Sequence, residues 1–188
     1  MATQAKNETA LSLWSLDQPH ASIHFKVRHM AISWVRGEFR NVSGTLNLDE
    51  DDITRSRVAV DIDASSVDTR DEQRDQHLRS AEFLDAQTYP KIHFQSTRIT
   101  RSASDSYVLA GDLTVRGVSK PIELDVREVS PIAKDPWGNT RLAATAICQV
   151  SRRDFGLTWN TVLESGGLLL GDEIVINVDV EFVNSAGA

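Results

Sequence analysis

Three histidines, His20, His24 and His29, fall within ten residues of one another. Such a density invites a zinc reading, in which His, Cys or carboxylate side chains close a tetrahedral shell. The alternation of the segment puts His29 on one face of a strand and His20 and His24 on the other. No cysteine or carboxylate stands at metal spacing, so no metal site is expected. The run Asp49-Glu50-Asp51-Asp52 could hold calcium, but it lacks the glycine and closing bidentate glutamate of an EF-hand loop and reads as a solvated turn. Asp75 and His77 suggest a carboxylate–imidazole pair. On a helix, positions i and i+2 do not face each other. The two are therefore read as polar side chains tying a helical insertion to strand ends, with Arg70 or Arg74 as an ion-paired cover for Asp75. Arg152 or Arg153, beside Asp154, could meet a phosphate head, and surface pairing is the preferred reading. Cys148, the single cysteine, reads as a small core residue, with a catalytic thiol as the minor reading. There is no G-x-S-x-G, P-loop or dinucleotide fingerprint. No nucleophile–base pair can be named, so no catalysis and no cofactor is expected.

The elements around these residues are mostly strands. Ala21, Ile23, Phe25, Val27 and His29 share one face, and Ser22, His24, Lys26 and Arg28 share the other. A period of two marks a half-buried strand. Met30 to Trp34 reads as a connection. Val35, Gly37 and Phe39 alternate with charged residues, and after Asn41 the pattern resumes on the other parity through Val42, Gly44, Leu46 and Leu48. That switch predicts one bent or bulged strand. Further strands are expected near 58–62, 91–101, 106–116, 120–130, 140–151 and 172–183. One helical insertion is expected over about 70–85. It starts at a capping box of Thr69 and Glu72, runs to about Ser80, continues as a short turn to Asp85 and is stopped by Pro90. About eight antiparallel strands can close into a barrel wide enough for one ligand, with a two-sheet sandwich as the alternative.

The chain has 188 residues, which fits a single domain over 13–184 behind a disordered leader over 1–12. A net charge of −7 argues against a nucleic-acid partner and against binding an anionic membrane by charge alone. The N-terminus shows no signal h-region and no segment is long and apolar enough to span a bilayer, so the chain reads as cytoplasmic. A trimmed periplasmic or secreted protein would read the same.

Several motifs, in order, resemble the polyisoprenoid-binding, lipocalin-like YceI family. They are Trp14 to Asp17, PHASIHFKVRHM (Pro19–Met30), VRGEF (Val35–Phe39), SSVDTRDEQRDQHLRSAEFLD (Ser65–Asp85) and YPKIHFQST (Tyr89–Thr97). AGDLTVRGVSKPIEL (Ala110–Leu124) and SRRDFGLTWN (Ser151–Asn160) follow. The resemblance implies an antiparallel lipocalin-like barrel with a long apolar channel. It also implies an isoprenoid or similar amphiphile, such as a quinone precursor or polyprenyl phosphate, as ligand.

Phe25, Val27, Phe39, Phe94, Leu113 and Phe155 are the candidate lining residues, with plain core packing as the alternative for each. His29 could hydrogen-bond a ligand head, or be a core histidine satisfied by backbone or carboxylate. Gly166-Gly167-Leu168-Leu169-Leu170-Gly171 reads either as an apolar lip at a barrel mouth or as a strand start packing on the insertion. As a lip it would make transient contact with a membrane or form a homodimer. The expected function is carriage or storage of a long apolar lipid. The rivals are an enzyme acting on such a lipid, and a packed structural barrel with no physiological ligand.

Overall fold

The computed structural model describes residues 11–103, 106–164 and 166–184. Among these described residues there are twelve strands and one α-helix. In chain order the first elements are β1 (Ser12–Leu16), β2 (Ser22–His29), β3 (Ser33–Phe39), β4 (Val42–Leu48), β5 (Arg57–Asp63), β6 (Val67–Asp68) and α1 (Glu72–Arg79). After the helix come β7 (Lys91–Ala103), β8 (Ser106–Val115), β9 (Val118–Val129), β10 (Ala133–Lys134), β11 (Thr140–Ser151) and β12 (Leu170–Asn184). Eight of the strands form a closed antiparallel ring in the order β1, β4, β5, β7, β8, β9, β11, β12 and back to β1. Closure removes the sheet edges that an open barrel would leave unpaired.

The membership of the ring differs from the alternation reading. Residues 35–48 are not one bent strand. β3 pairs with β2 and β6, whereas β4 pairs with β1 and β5. The parity switch at Asn41 marks the point where the chain leaves one layer for another. β2, β3 and β6 continue the sheet from the Leu170 half of β12, while β1 pairs with its other end at Ser15–Val183 and Leu16–Phe182. β1 begins at Ser12, inside the span expected as leader; residues 1–10 of that span lie outside the described residues.

The helix cap lies two positions beyond the expected one. Its N-cap is Asp71, whose carboxylate accepts from the Arg74 N–H at 3.1 Å. Thr69 instead turns inward. Its N–H and hydroxyl both donate to the carboxylate of Asp75, at 2.9 and 2.5 Å, and Asp75 is buried. Arg79 donates to the carbonyls of Ser65 and Val67 at 2.8 and 3.0 Å, tying α1 to the start of β6. The helix is fixed by these polar contacts because its own surface is too polar to be held by packing.

One end of the ring is closed by packing. Trp14, 1% exposed, clusters there with Leu46, Leu48, Leu142 and Phe182. The acidic turn beside it is not simply solvated. Asp49 is buried, accepts from the amides of Asp51 and Asp52 at 3.1 and 2.9 Å, and pairs with Arg55 at 2.7 Å.

Candidate binding cavity

Strand alternation sends one set of side chains to the middle of the barrel, where they do not fill it. A cavity of about 690 Å³ runs along the interior, within the roughly 300–1,000 Å³ typical of small-molecule sites. Most of its lining residues are Ile, Val, Leu and Phe. At the Trp14 end it is bounded by buried Leu48, Leu142 and Phe182. At the α1 end Asp71 and Gln73 line it while remaining exposed, so it reaches the surface there.

The seven residues singled out from the sequence all line this cavity. Phe25, Val27 and His29 come from β2, Phe39 from β3, Phe94 from β7 and Leu113 from β8. Phe155 comes from a 3-10 turn, Arg152–Phe155, that follows β11. Phe25 and Phe39 pack ring to ring with centroids 5.6 Å apart. The His29 imidazole has no hydrogen-bond partner among the described residues, so the core reading, which needs a backbone or carboxylate partner, does not describe it.

The polar residues of the wall gather near α1. They are His29, Thr69, Asp71, Gln73, Arg74, His77 and Arg152, with buried Ser56 after β4 and Tyr107 on β8 apart from them. His77 was read only as a structural tie. Its Nε2 meets the Glu82 carboxylate at 2.6 Å, and its ring stands edge-on to Phe83 and Trp159 with centroids 4.9 and 4.7 Å away. Trp159, Gln73 and Arg74 also reach the wall and were missed as lining residues. The lone tryptophan in a turn-rich segment was the one available signal.

The cations at this end are engaged. Arg74 donates through Nε to the Thr69 hydroxyl at 2.6 Å and through Nη2 to the Thr69 carbonyl at 2.8 Å. Its carboxylate neighbour is Asp71, 3.8 Å away, and not Asp75. Arg152 is no surface pair, being 3% exposed. It donates to the carbonyls of Gly171, Leu157 and Trp159 and lies 2.9 Å from the Asp172 carboxylate, an ion-pair contact without hydrogen-bond alignment. Burial pushes its pKa down. Arg153 makes the surface pair, with Asp172 at 2.7 Å.

Among the described residues, the other titrating groups stand singly in the wall or outside the barrel. Cys148 lies in the wall, and burial pushes its thiol up to about 11. His24 sits outside near Glu38. His20 sits outside against Asp17, and these two group with Glu181 closely enough to suggest a metal, but Arg141 already bonds both carboxylates. Asp61 is held low by its bonds to Lys91 and His93 on the outer face of β5 and β7.

The leucine segment divides between its two readings. Leu169 and Leu170 line the cavity, and Leu170 opens β12 opposite His29, whereas Leu168 is exposed.

A family described as YceI-like domain matches residues 14–182. A UPF0312 protein of Pectobacterium atrosepticum is 40% identical over 139 residues, covering 74% of this chain and 71% of its own. Among solved structures, BcnA of Burkholderia cenocepacia superposes with a TM-score of 0.77 at 18% identity, over 88% of this chain and 98% of its own. A polyisoprenoid binding domain from Saccharophagus degradans, implicated in plant cell wall breakdown, gives 0.66 at 15% identity, over 92% and 98%. At these identities the structural likenesses speak to fold.

Proposed function

The chain belongs to the YceI-like domain family, and on that premise we propose that it binds and carries one long apolar chain with an uncharged, hydrogen-bonding head. The observation that carries this reading is the cavity itself, with an apolar wall along its length and polar groups collected at the α1 end. Each buried CH₂ contributes ~0.8 kcal/mol, so a five-carbon isoprene unit contributes at most about 4 kcal/mol. Part of that is lost in ordering a flexible chain. Several units still give useful affinity without a charged anchor. The tail would lie toward Leu48, Leu142 and Phe182, and the head near His29, Gln73 and His77.

The preference for an uncharged head comes from the two wall arginines. Arg74 donates to the Thr69 hydroxyl and carbonyl, and Arg152 spends Nε and Nη1 on backbone carbonyls while its Nη2 lies against the Asp172 carboxylate. A prenyl phosphate would find no unengaged arginine in the wall, whereas a prenol or quinone-type head needs only hydrogen-bond partners such as His29. A catalytic role would call for a nucleophile or base tuned inside the channel. The Cys148 thiol is tuned the opposite way, away from thiolate, which favours binding over reaction.

Mass spectrometry of organic extracts from purified protein, against a mock purification, tests the reading. A stoichiometric neutral prenyl lipid is expected. A prenyl phosphate would overturn the head assignment. An extract that stays empty after incubation with prenyl lipids would overturn the carrier reading.

A further inference from the structure

Around the α1 end of the cavity the surface is neither uniformly polar nor uniformly acidic. The turn joining β2 to β3 closes through the Ile32 N–H to the His29 carbonyl at 3.1 Å. Its two central residues, Met30 and Ala31, have φ of 52° and 59°. That is the left-handed backbone for which Asn-Gly is the usual choice. The turn displays apolar side chains instead: Met30 is 39% exposed and Ile32 77%. The Met30 N–H donates to the Leu169 carbonyl at 2.7 Å, bringing the tip against a second loop. In that loop the bridged residues Val162 and Leu168 are also exposed. Leu169 and His29, which join the two tips, line the cavity.

A band of cations lies behind this apolar rim. On the outer face of β2 and β3, Arg28 stands opposite Trp34, and one step further back Lys26 stands opposite Arg36. The Arg28 guanidinium is 4.4 Å and the Lys26 ammonium 5.0 Å from the Trp34 ring centroid. None of the three cations has a carboxylate within ion-pair distance among the described residues, although the chain carries a net charge of −7. Glu38, the next acid on β3, is taken by His24 and Arg40, and Asp172 by Arg152 and Arg153. Glu173, exposed on β12 beside the Ile174–Val27 pair, flanks Arg28 outside ion-pair distance, and Glu164 belongs to the second loop, so the cationic band is bounded by acids and confined to β2 and β3.

We propose that this rim docks on an anionic lipid bilayer, with Met30 and Ile32 entering the headgroup boundary and Lys26, Arg28 and Arg36 meeting lipid phosphates. Apolar tip, interfacial tryptophan and basic band follow one another in the order that a bilayer presents acyl chain, interface and phosphate. The purpose of the docking rests on the carrier reading, since a bilayer is where a long apolar chain enters and leaves. Its test does not rest on that reading.

The test is vesicle flotation of the purified protein with phosphatidylcholine alone and with phosphatidylcholine containing phosphatidylglycerol. Binding is expected to the anionic vesicles and to weaken at high salt. Lys26→Glu with Arg36→Glu lowers the partition ~30-fold or more, at about fivefold per lost cation. Met30→Asn with Ala31→Gly raises thermal stability, because the turn gains its preferred residues, and at the same time lowers vesicle binding. Trp137→Ser, at the far end of the barrel, leaves binding unchanged. Failure of the wild type to float with anionic vesicles overturns the proposal, as does equal loss of binding in Trp137→Ser. A concentration-dependent dimer that Ile32→Ser dissolves, without vesicle binding, also overturns it and assigns the rim to a second copy. Prenyl-lipid uptake from detergent without vesicle binding sinks the docking alone. Vesicle binding with a persistently empty extract sinks the carrier reading alone.

Discussion

Phe25 lies directly across β2 and β3 from Gly37, and its ring fills the space that a side chain at position 37 would need. A Cβ built there would sit 2.5 Å from Phe25 Cζ and 2.7 Å from the Thr69 methyl. The missing side chain of Gly37 thus lets the Phe25 ring lie against the sheet, and keeps the channel beside it open. Gly37→Ala should push the ring toward the cavity. The expected cost is about 1–3 kcal/mol, the range for overpacking, with reduced lipid uptake. Denaturant unfolding of Gly37→Ala, Phe25→Ala and the double variant measures it. The double variant should be less destabilised than the sum of the singles; simple additivity would mean that the ring and the glycine do not compete for space.

An open channel and a packed core respond differently to added bulk. Ala146 lines the cavity. Ala146→Phe should fold with stability within ~1.5 kcal/mol of wild type, because the ring enters empty volume, and should lose most lipid retention. Phe25→Asp should abolish retention while the far-UV circular dichroism stays native. Unfolding of both variants would return the interior to a packed core.

Arg152 holds the segment after β11 against the start of β12 through three carbonyls and Asp172. Arg152→Met strips buried acceptors of their donor and should cost on the order of 3 kcal/mol. The segment 157–169 should become the first site of limited proteolysis. A variant cleaved no faster than wild type there would mean that water or neighbouring groups replace the guanidinium.

Arg141 joins Asp17, Asp135 and Glu181 at the other end of the barrel. Its hydrogen bond holds Asp17 low, and Asn139, followed by Arg141, holds Asp135 well below the usual carboxylate range. Groups with depressed folded pKa stabilise the fold above their unfolded value, near 4, and lose that contribution as pH falls through the folded values. The melting-temperature gap between wild type and Arg141→Gln should therefore be full at neutral pH and close below about pH 4. A gap that stays constant down to strong acid would show that Arg141 acts through packing.

Much of the barrel could be read from period-two patterns, because an inward face lined by Phe25 and Val27 and an outward face of Lys26 and Arg28 leave little freedom of register. The lining positions of β2 and β3, Phe25, Val27 and Phe39, followed from the same logic, whereas Phe155 lies in a 3-10 turn that alternation does not reach. Three other things did not follow. The break between β3 and β4 resembles a bulge, since both events invert parity. The burial of Arg152 and Asp49 depends on distant carbonyls and amides that no local pattern encodes. The gathering of polar groups at one end arises when α1 and the segment after β11 come together, which is a tertiary event. Thr69 and Glu72 match a capping box, yet Asp71 wins the cap because buried Asp75 takes Thr69 as its donor.

The ring also constrains how the protein is made. Its seam joins β1 to β12 at Ser15–Val183. During synthesis the first strand leaves the ribosome long before its partner exists, so β1 must wait with one edge bare and its Trp14 unsheltered. Contacts of such sequence separation form late and slowly. Until β12 emerges, the nascent sheet exposes both its greasy inner face and a free edge, the two surfaces on which chaperones and aggregates compete.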